Sequence, residues 1–303
     1  MIALFNYLIF PGFLFSACAG LMACWLDRKV SARLQWRRGP AWHQNFTDIL
    51  KLLGKENILP VQAGRTFMAS PYLGLLSVAL VATILGRSII SPLESFAGDL
   101  IVVLYLLLIP AVALILGASS SRNPLAAVGA SREMKQVLSY ELPFILAIIT
   151  VIIKAGGTIQ LGEILNRQIN FGSHIFSASG LIAFLVALIC IQAKIGIGPF
   201  DASEADQELM AGVLIEYSGT LLALFKLTKA ILLYCLPLFL IILFLGKDIS
   251  PLFLTLKYLG ILIVLILVKN TNPRLRIDQV MKFFWGPVTL LAVIAVGLAL
   301  VGR

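Results

Sequence analysis

The sequence predicts an all-α polytopic membrane protein, one integral domain over residues 1–303, with about eight transmembrane helices and amphipathic helices in its loops. Three observations predict it. The chain is 59% hydrophobic and 13% charged, with a mean hydropathy of +0.97; a soluble domain could not hide that much apolar surface. Apolar runs reach spanning length at roughly 2–26, 67–90, 98–118, 134–156, 177–195, 209–245, 252–270 and 283–302. Finally, the basic residues gather in alternate loops.

With the N-terminus outside, the loops 27–66, 119–133, 194–208 and 270–282 with their flanks hold sixteen of the 24 Lys and Arg, and the opposite side holds four. This bias predicts a multi-pass protein of the cytoplasmic membrane with its main loops cytoplasmic. It accounts for the net charge of +9 without a nucleic-acid partner. The first run lacks a basic n-region and an A-x-A site, so it reads as a retained span. Cys18, Cys24, Cys190 and Cys235 lie in apolar runs without C-x-x-C spacing, and His43 and His174 are isolated. No iron–sulfur cluster or other metal is therefore expected on this chain. No catalytic residue is assigned: the sequence has no Gly-rich phosphate loop, no Ser/His/Asp grouping and no nucleotide fingerprint.

In chain order, the stretch Asp27 to Pro40 is basic and ends in a Gly-Pro breaker. Phe46, Ile49, Leu50 and Leu53 then fall on one face of a helix that ends near Gly54. Asp48, Lys51 and Lys55 lie elsewhere on that helix, which suits the membrane interface or a partner. Asp99, at the outer end of the third span, reads as a cap or an interfacial charge. In the fourth run, Glu141 sits beside Tyr140 and Pro143, so a carboxylate meets an opened backbone inside the membrane. It is either a proton relay or a structural glutamate paired to a neighbouring base.

The densest acidic segment is Gly198 to Gly219, where Asp201, Glu204, Asp206, Glu208 and Glu216 supply five of the fifteen carboxylates. Carboxylates between spans are costly, and the default reading is functional. The alternative is a solvated loop. On a helix, Glu204 and Glu208 share a face and Glu216 falls near it. The run 209–245 is about twice the length a bilayer needs, so it is tilted, extended or broken, with Pro237 a candidate kink. Lys226 and Lys229 within it either pair with Glu216 or Glu141 or line a hydrated path. The last loop, 272–285, is basic and re-enters at Trp285.

The stretch Pro199-Phe-Asp-x-x-Glu-Ala-Asp-x-Glu-Leu-x-x-Gly212, followed by Glu216-Tyr-Ser-Gly219, resembles the signature of the membrane subunit that adjoins the peripheral arm of respiratory complex I. The same subunit occurs in group 4 membrane-bound [NiFe] hydrogenases. Arg33-x-Gln35-x-Arg37-Arg-Gly-Pro40, Ser139-Tyr-Glu-Leu-Pro143 and Arg274-x-Arg276-x-Asp278-Gln-Val-Met281 are similar to its other motifs, so the resemblance spans the chain. After Arg-Gly-Pro the chain departs from the complex I pattern. The run Ala41 to Leu53, with Val128-Gly-Ala-Ser-Arg-Glu133, looks like the hydrogenase branch, formate hydrogenlyase included.

The resemblance implies an anchor for a soluble hydrogenase arm that couples its electron transfer to H⁺ or Na⁺ translocation. The alternative it leaves is the quinone-site subunit of complex I. The implied partners are a hydrogenase large subunit, an iron–sulfur small subunit, a ferredoxin-like subunit and antiporter-like membrane subunits. The NiFe centre and the clusters would lie in those partners. Glu141, Asp201, Glu204, Asp206, Glu208, Glu216, Lys226 and Lys229 are the implied ion-coupling residues. Arg33, Gln35, Arg37, Arg38, Asp48, Arg132, Arg274, Arg276 and Asp278 are the implied arm-docking residues. A stand-alone transporter is the reading from another class, and no internal repeat supports it.

Overall fold

A computed structural model describes residues 2–60, 63–204 and 210–302, and among them there are helices but no strand. The helices are α1 (Ile2–Leu8), α2 (Phe13–Leu34), α3 (Gln44–Leu53), α4 (Arg65–Ile90), α5 (Asp99–Ser120), α6 (Pro124–Lys154), α7 (Leu161–Phe171), α8 (Ala178–Ile195), α9 (Gly219–Phe244), α10 (Pro251–Thr271), α11 (Ile277–Phe283) and α12 (Thr289–Leu300). A π-helical turn, Phe284–Val288, joins the last two. Eight segments are long and apolar enough to cross a membrane: α1–α2 together, α4, α5, α6, α8, α9, α10 and α11–α12. The short α3 and α7 lie between spans, α3 as the sequence predicts.

The hub is α9. Its apolar residues occupy all faces, and 83% of its spanning window is buried, against 22% for α10. A helix apolar all round belongs at the centre of a bundle. It packs on α2, α3, α4 and α8. Phe239, Phe244, Leu240 and Ile241 are enclosed there.

Several boundaries differ from the sequence reading, each for a local reason. The long sixth run is not one helix. Residues 210–218 form turns and a 3₁₀ turn, Gly212–Leu214, and α9 begins only at Gly219. It is a single span of 26 residues that continues through Pro237. Glu204 and Glu216 therefore stand in non-helical backbone and share no helix face. The fourth run starts earlier than expected, at Pro124. Asn123 accepts a hydrogen bond from the Leu125 amide at 2.9 Å, and proline follows at the first helical position, a strong start signal. This puts Glu133 on a helix rather than in a loop. Likewise α2 runs on to Leu34, so that Asp27 pairs with Lys269 of α10 at 2.6 Å and Ser31 accepts from Asn270.

The loops after α2, α5, α8 and α10 meet at one end of the bundle. The Gly64 amide donates to Ser120, Ile58 to the Ser218 hydroxyl, and Leu275 to the carbonyl of Pro199. At the other end, Asp99 accepts from the Leu161 amide at 2.8 Å and so caps α7, while Gln168 reaches the α9 carbonyls of Ile242 and Leu243.

One crossing decides how closely α2 can approach the hub. A Cβ on Gly20 would sit 2.4 Å from the Ala230 carbonyl oxygen, so only glycine fits. Gly20→Ala is expected to cost about 1–3 kcal/mol, read as a lower unfolding midpoint of the purified complex. Gly260→Ala, with nothing within 4 Å of the new carbon, is expected not to lower it. An unchanged midpoint in the first variant would show that α2 and α9 separate without cost.

Candidate functional site

Between α5, α6, α8, α9 and the loop that precedes α9 lies a cavity of about 230 Å³. Its wall holds five charged side chains, Glu133, Lys194, Glu204, Lys226 and Lys229, among Phe225, Leu232 and Leu114. The charges arrive on different elements. Lys229 of α9 donates to Glu204 at 2.6 Å and to the Gly196 carbonyl at 3.1 Å. Glu133 of α6 is buried and is hydrogen-bonded to Ser203. Lys226 stands exposed at the rim, about one turn from Lys229.

Deeper in the bundle, Lys194 of α8 has a side chain only 1% exposed, and its Nζ lies 3.0 Å from Glu141 Oε2. The ammonium also faces the rings of Phe144 at 4.6 Å and Tyr140 at 5.4 Å, cation–π geometry that adds to the ion pair. Glu141 thus takes Lys194 as its partner, and Lys229 takes Glu204; neither lysine of α9 pairs with Glu141 or Glu216. The Tyr140 hydroxyl is buried with no hydrogen-bond partner among the described residues.

The backbone around the cavity is held by buried amides. Gln136 donates to the carbonyls of Ala193 and Phe200, and Gln192 donates to Gly198. These bonds pin the Pro199-Phe-Asp turn, and Phe200 packs on the rings of Phe283 and Phe284. The acidic loop closes where Val213 donates to the Ser203 carbonyl. There Gly212 has φ +52, and a Cβ would meet that carbonyl oxygen at 1.9 Å. Asp206 and Glu208, assigned from sequence to ion coupling, lie outside the described residues.

Glu216 stands apart from the cavity. Its Oε1 accepts from Asn123 Nδ2 at 2.5 Å, tying the loop to the residue that caps α6. Next to it Tyr217 stacks on Phe67 at 4.2 Å and hydrogen-bonds Phe67 and Ser70. Burial pushes the Tyr217 phenol up to about 12, against the opposing Ser70 hydrogen bond, so it remains a donor at neutral pH. Ser218 and the amide of Thr220 bind residues 57–58. The Glu216-Tyr-Ser-Gly219 motif is a clamp joining the first loop, α4 and α6.

The residues assigned to arm docking divide into two groups. Arg33, Gln35, Arg37 and Arg38 are exposed, beside a Trp36 that is 98% exposed. Arg132, Arg274, Arg276 and Asp278 instead line one cleft of about 290 Å³ at the same end of the bundle. There Arg274 binds Asp201 at 2.6 Å, and Arg132 donates to the Ala202 carbonyl at 3.4 Å. Asp201 is therefore paired at the cleft, not at the cavity. Asp48 is engaged within the chain, with Arg28 at 3.4 Å and Gln44 at 3.0 Å. The face expected for α3 is filled at its base, where Ile49 meets Leu21 and Ala230, and Asn45 reaches the Leu21 carbonyl.

Sequence reasoning missed Glu133, Lys194, Gln136 and Gln192. Ala126, Ala130, Glu133, Val137, Tyr140, Phe144 and Ala147 are all buried at three- and four-residue steps. Reading α6 from its Asn-Pro start exposes that stripe. Lys194 reads as a loop charge because it lies one residue from the end of α8.

Lys194 is more enclosed than Glu141, whose side chain is 21% exposed. Glu141→Leu, which strands the ammonium, is expected to cost about 3–5 kcal/mol. Lys194→Met is expected to cost less, and Glu141→Leu with Lys194→Met to recover most of the loss. Thermal unfolding of the purified complex gives the order; a double variant as unstable as Glu141→Leu would remove the pair as the cause.

A family model described as "NADH dehydrogenase" matches residues 6–300. The H subunit of NADH-quinone oxidoreductase from Syntrophotalea carbinolica is 33% identical, over 91% of this chain and 90% of that protein. Its counterpart in Thermomicrobium roseum is 34% identical, over 97% and 94%. A chain in the solved membrane-bound sulfane sulfur reductase, an archaeal respiratory membrane complex, superposes with a TM-score of 0.90 at 31% identity, covering 99% of this chain and 100% of that one. With the family match running through every span, the chain belongs to the NADH dehydrogenase family as the H-type membrane subunit of a complex I-like oxidoreductase.

Proposed function

We propose that this subunit anchors a soluble redox arm at the loop end of the bundle and couples electron transfer there to movement of H⁺ or Na⁺. The observation that carries this is the cavity shared by Glu133, Glu204, Lys194, Lys226 and Lys229. Paired carboxylates and amines inside a bundle hold each other charged, and a change in one resets the proton affinity of its partner. Asp201 with Arg274 stands at the arm side, Glu204 with Lys229 follows, and Glu141 with Lys194 lies within the bundle. The ion is passed on to antiporter-like membrane subunits. Arg33, Gln35, Arg37 and Arg38 hold the arm, with the loops on the cytoplasmic face of the cell membrane as the charge bias favours.

We assign the arm to the group 4 [NiFe] hydrogenase type, with the NiFe centre and clusters in its own large, small and ferredoxin-like subunits. The departure of Ala41 to Leu53 from the complex I pattern supports this. So does the seating of α3, through Asn45 and Ile49, directly on α2 and α9. A second reading, a quinone-reducing arm, draws support from the curated relatives, which are the H subunits of NADH-quinone oxidoreductases.

Purification of the intact complex through a tag on this chain, with metal and subunit analysis, separates the readings. Nickel in a hydrogenase-like large subunit is the expected result. Flavin and quinone without nickel would transfer the assignment to the second reading, and sulfur reduction without nickel to an arm like that of the solved neighbour.

Coupling is tested in vesicles. Glu133→Gln and Glu141→Gln are expected to lower the ion gradient formed per electron by about ten-fold, with redox turnover of the arm retained. Glu216→Gln, which keeps an acceptor for Asn123, is expected to leave the gradient near the parent value. Full gradients in both of the first two variants would take those residues out of the path.

A further inference from the structure

The end of the bundle away from the loop cluster carries another charged cavity, which the proposed coupling does not use. It measures about 540 Å³, within the ~300–1,000 Å³ of small-molecule sites. Lys154 at the end of α6 and Arg167 of α7 line it, with His174 and Ser177, and no carboxylate lines it among the described residues. Arg167 makes no ion pair among the described residues. Lys154 donates to the neutral hydroxyl of Ser177. His174 Nε2 is buried with no hydrogen-bond partner among the described residues. Burial, and then the Lys154 charge, lower the imidazole to about 4, so at neutral pH it carries one N–H and no charge.

Two aromatic rings border the cations. Phe171 is 89% exposed and Phe176 is 86% exposed, and both line the cavity. Phe171 ends α7, an amphipathic helix whose Leu161, Ile164 and Leu165 pack inward. Bare rings at the end of such a helix, between two spans, fit the boundary between headgroups and acyl chains. Two cations with no opposing carboxylate among the described residues select an anion, and the rings select one that carries hydrocarbon.

We propose that this cavity binds the phosphate of an anionic phospholipid headgroup between Lys154 and Arg167, with Phe171 and Phe176 against its acyl chains. The site is independent of the type of redox arm.

The test titrates the intact complex in mixed micelles with phosphatidylglycerol and counts bound lipid by native mass spectrometry. One saturable site is expected, with weaker binding of phosphatidylcholine and no displacement by equimolar inorganic phosphate. Arg167→Gln is expected to weaken binding about five-fold, and Lys154→Gln with Arg167→Gln further. Lys247→Gln removes an exposed charge at the same end outside the cavity and is expected to change nothing. Should the double variant fail to assemble, Arg167→Gln decides alone, since that guanidinium has no ion pair to lose among the described residues. Unchanged binding in Arg167→Gln, equal binding of phosphatidylcholine, or displacement by phosphate would each overturn the proposal.

Discussion

A charge carried into an apolar bundle must find its partner there, and this constraint orders the centre of the molecule. An isolated buried ion costs several kcal/mol even after relaxation. Lys194, enclosed between α8 and α6, finds Glu141 at 3.0 Å and the rings of Tyr140 and Phe144. Lys229 likewise depends on Glu204 and the Gly196 carbonyl. Each pair fixes a rotation: α8 must present Lys194 to α6, and α9 must turn Lys229 toward the loop before it. Glycine contacts such as Gly20 on Ala230 then let the other helices close around the hub.

The loops obey the complementary rule. At their end of the bundle, polar residues join one loop to the next instead of facing water singly. Asn57 caps α9 from the first loop, Glu216 binds the cap of α6, and Leu275 bonds to Pro199. This mutual bracing turns four connections into one platform. Arg33, Gln35, Arg37 and Arg38 stand exposed beside it, where the chain turns back at the end of α2 through the Arg37 amide and the Ala32 carbonyl.

The number and order of spans were legible because spanning length and basic-loop bias are summed over many residues, so no single local choice can upset them. Asp99 could be read only as a cap or an interfacial charge of the third span, since the helix it caps, α7, begins 62 residues later, whereas the amphipathic face of α3 could be read from its spacing. What failed was periodicity across a boundary. Apolar residues on both sides of Gly219 concealed the switch from 3₁₀ turn to helix, because Leu214 and Leu221 are equally apolar and only the backbone distinguishes them. At the site, the acidic loop announced itself by charge density. Its partners did not, because Arg274 lies 73 residues from Asp201 and Asn123 lies 93 residues from Glu216, and pairing over such distances leaves no local signal; the Lys194–Glu141 pair, 53 residues apart, is hidden in the same way. The assignment of Glu216 to the same face as Glu204 failed for the same reason as the helix boundary.

Among the described residues, the ion pairs at the cavity and at the adjoining cleft join two elements rather than two turns of one helix: α6 to α8, α9 to Glu204, and Asp201 of the same turn segment to Arg274 before α11. A pair within one helix reports only on that helix. Pairs between elements make the position of the turn and the charge state of the cavity one variable. Glu133 sharpens this, since it is buried beside Ser203 on the same wall as Lys229 and Glu204. Two carboxylates then lie in the field of one ammonium, so the charge on either changes its hold on the other. In the coupling proposed above, an arm that moved the turn by way of Arg274 and Asp201 would shift Glu204 against Lys229 with Glu133 on the same wall. The proposed coupling asks of this chain only that a displacement at the surface reach the pairs inside.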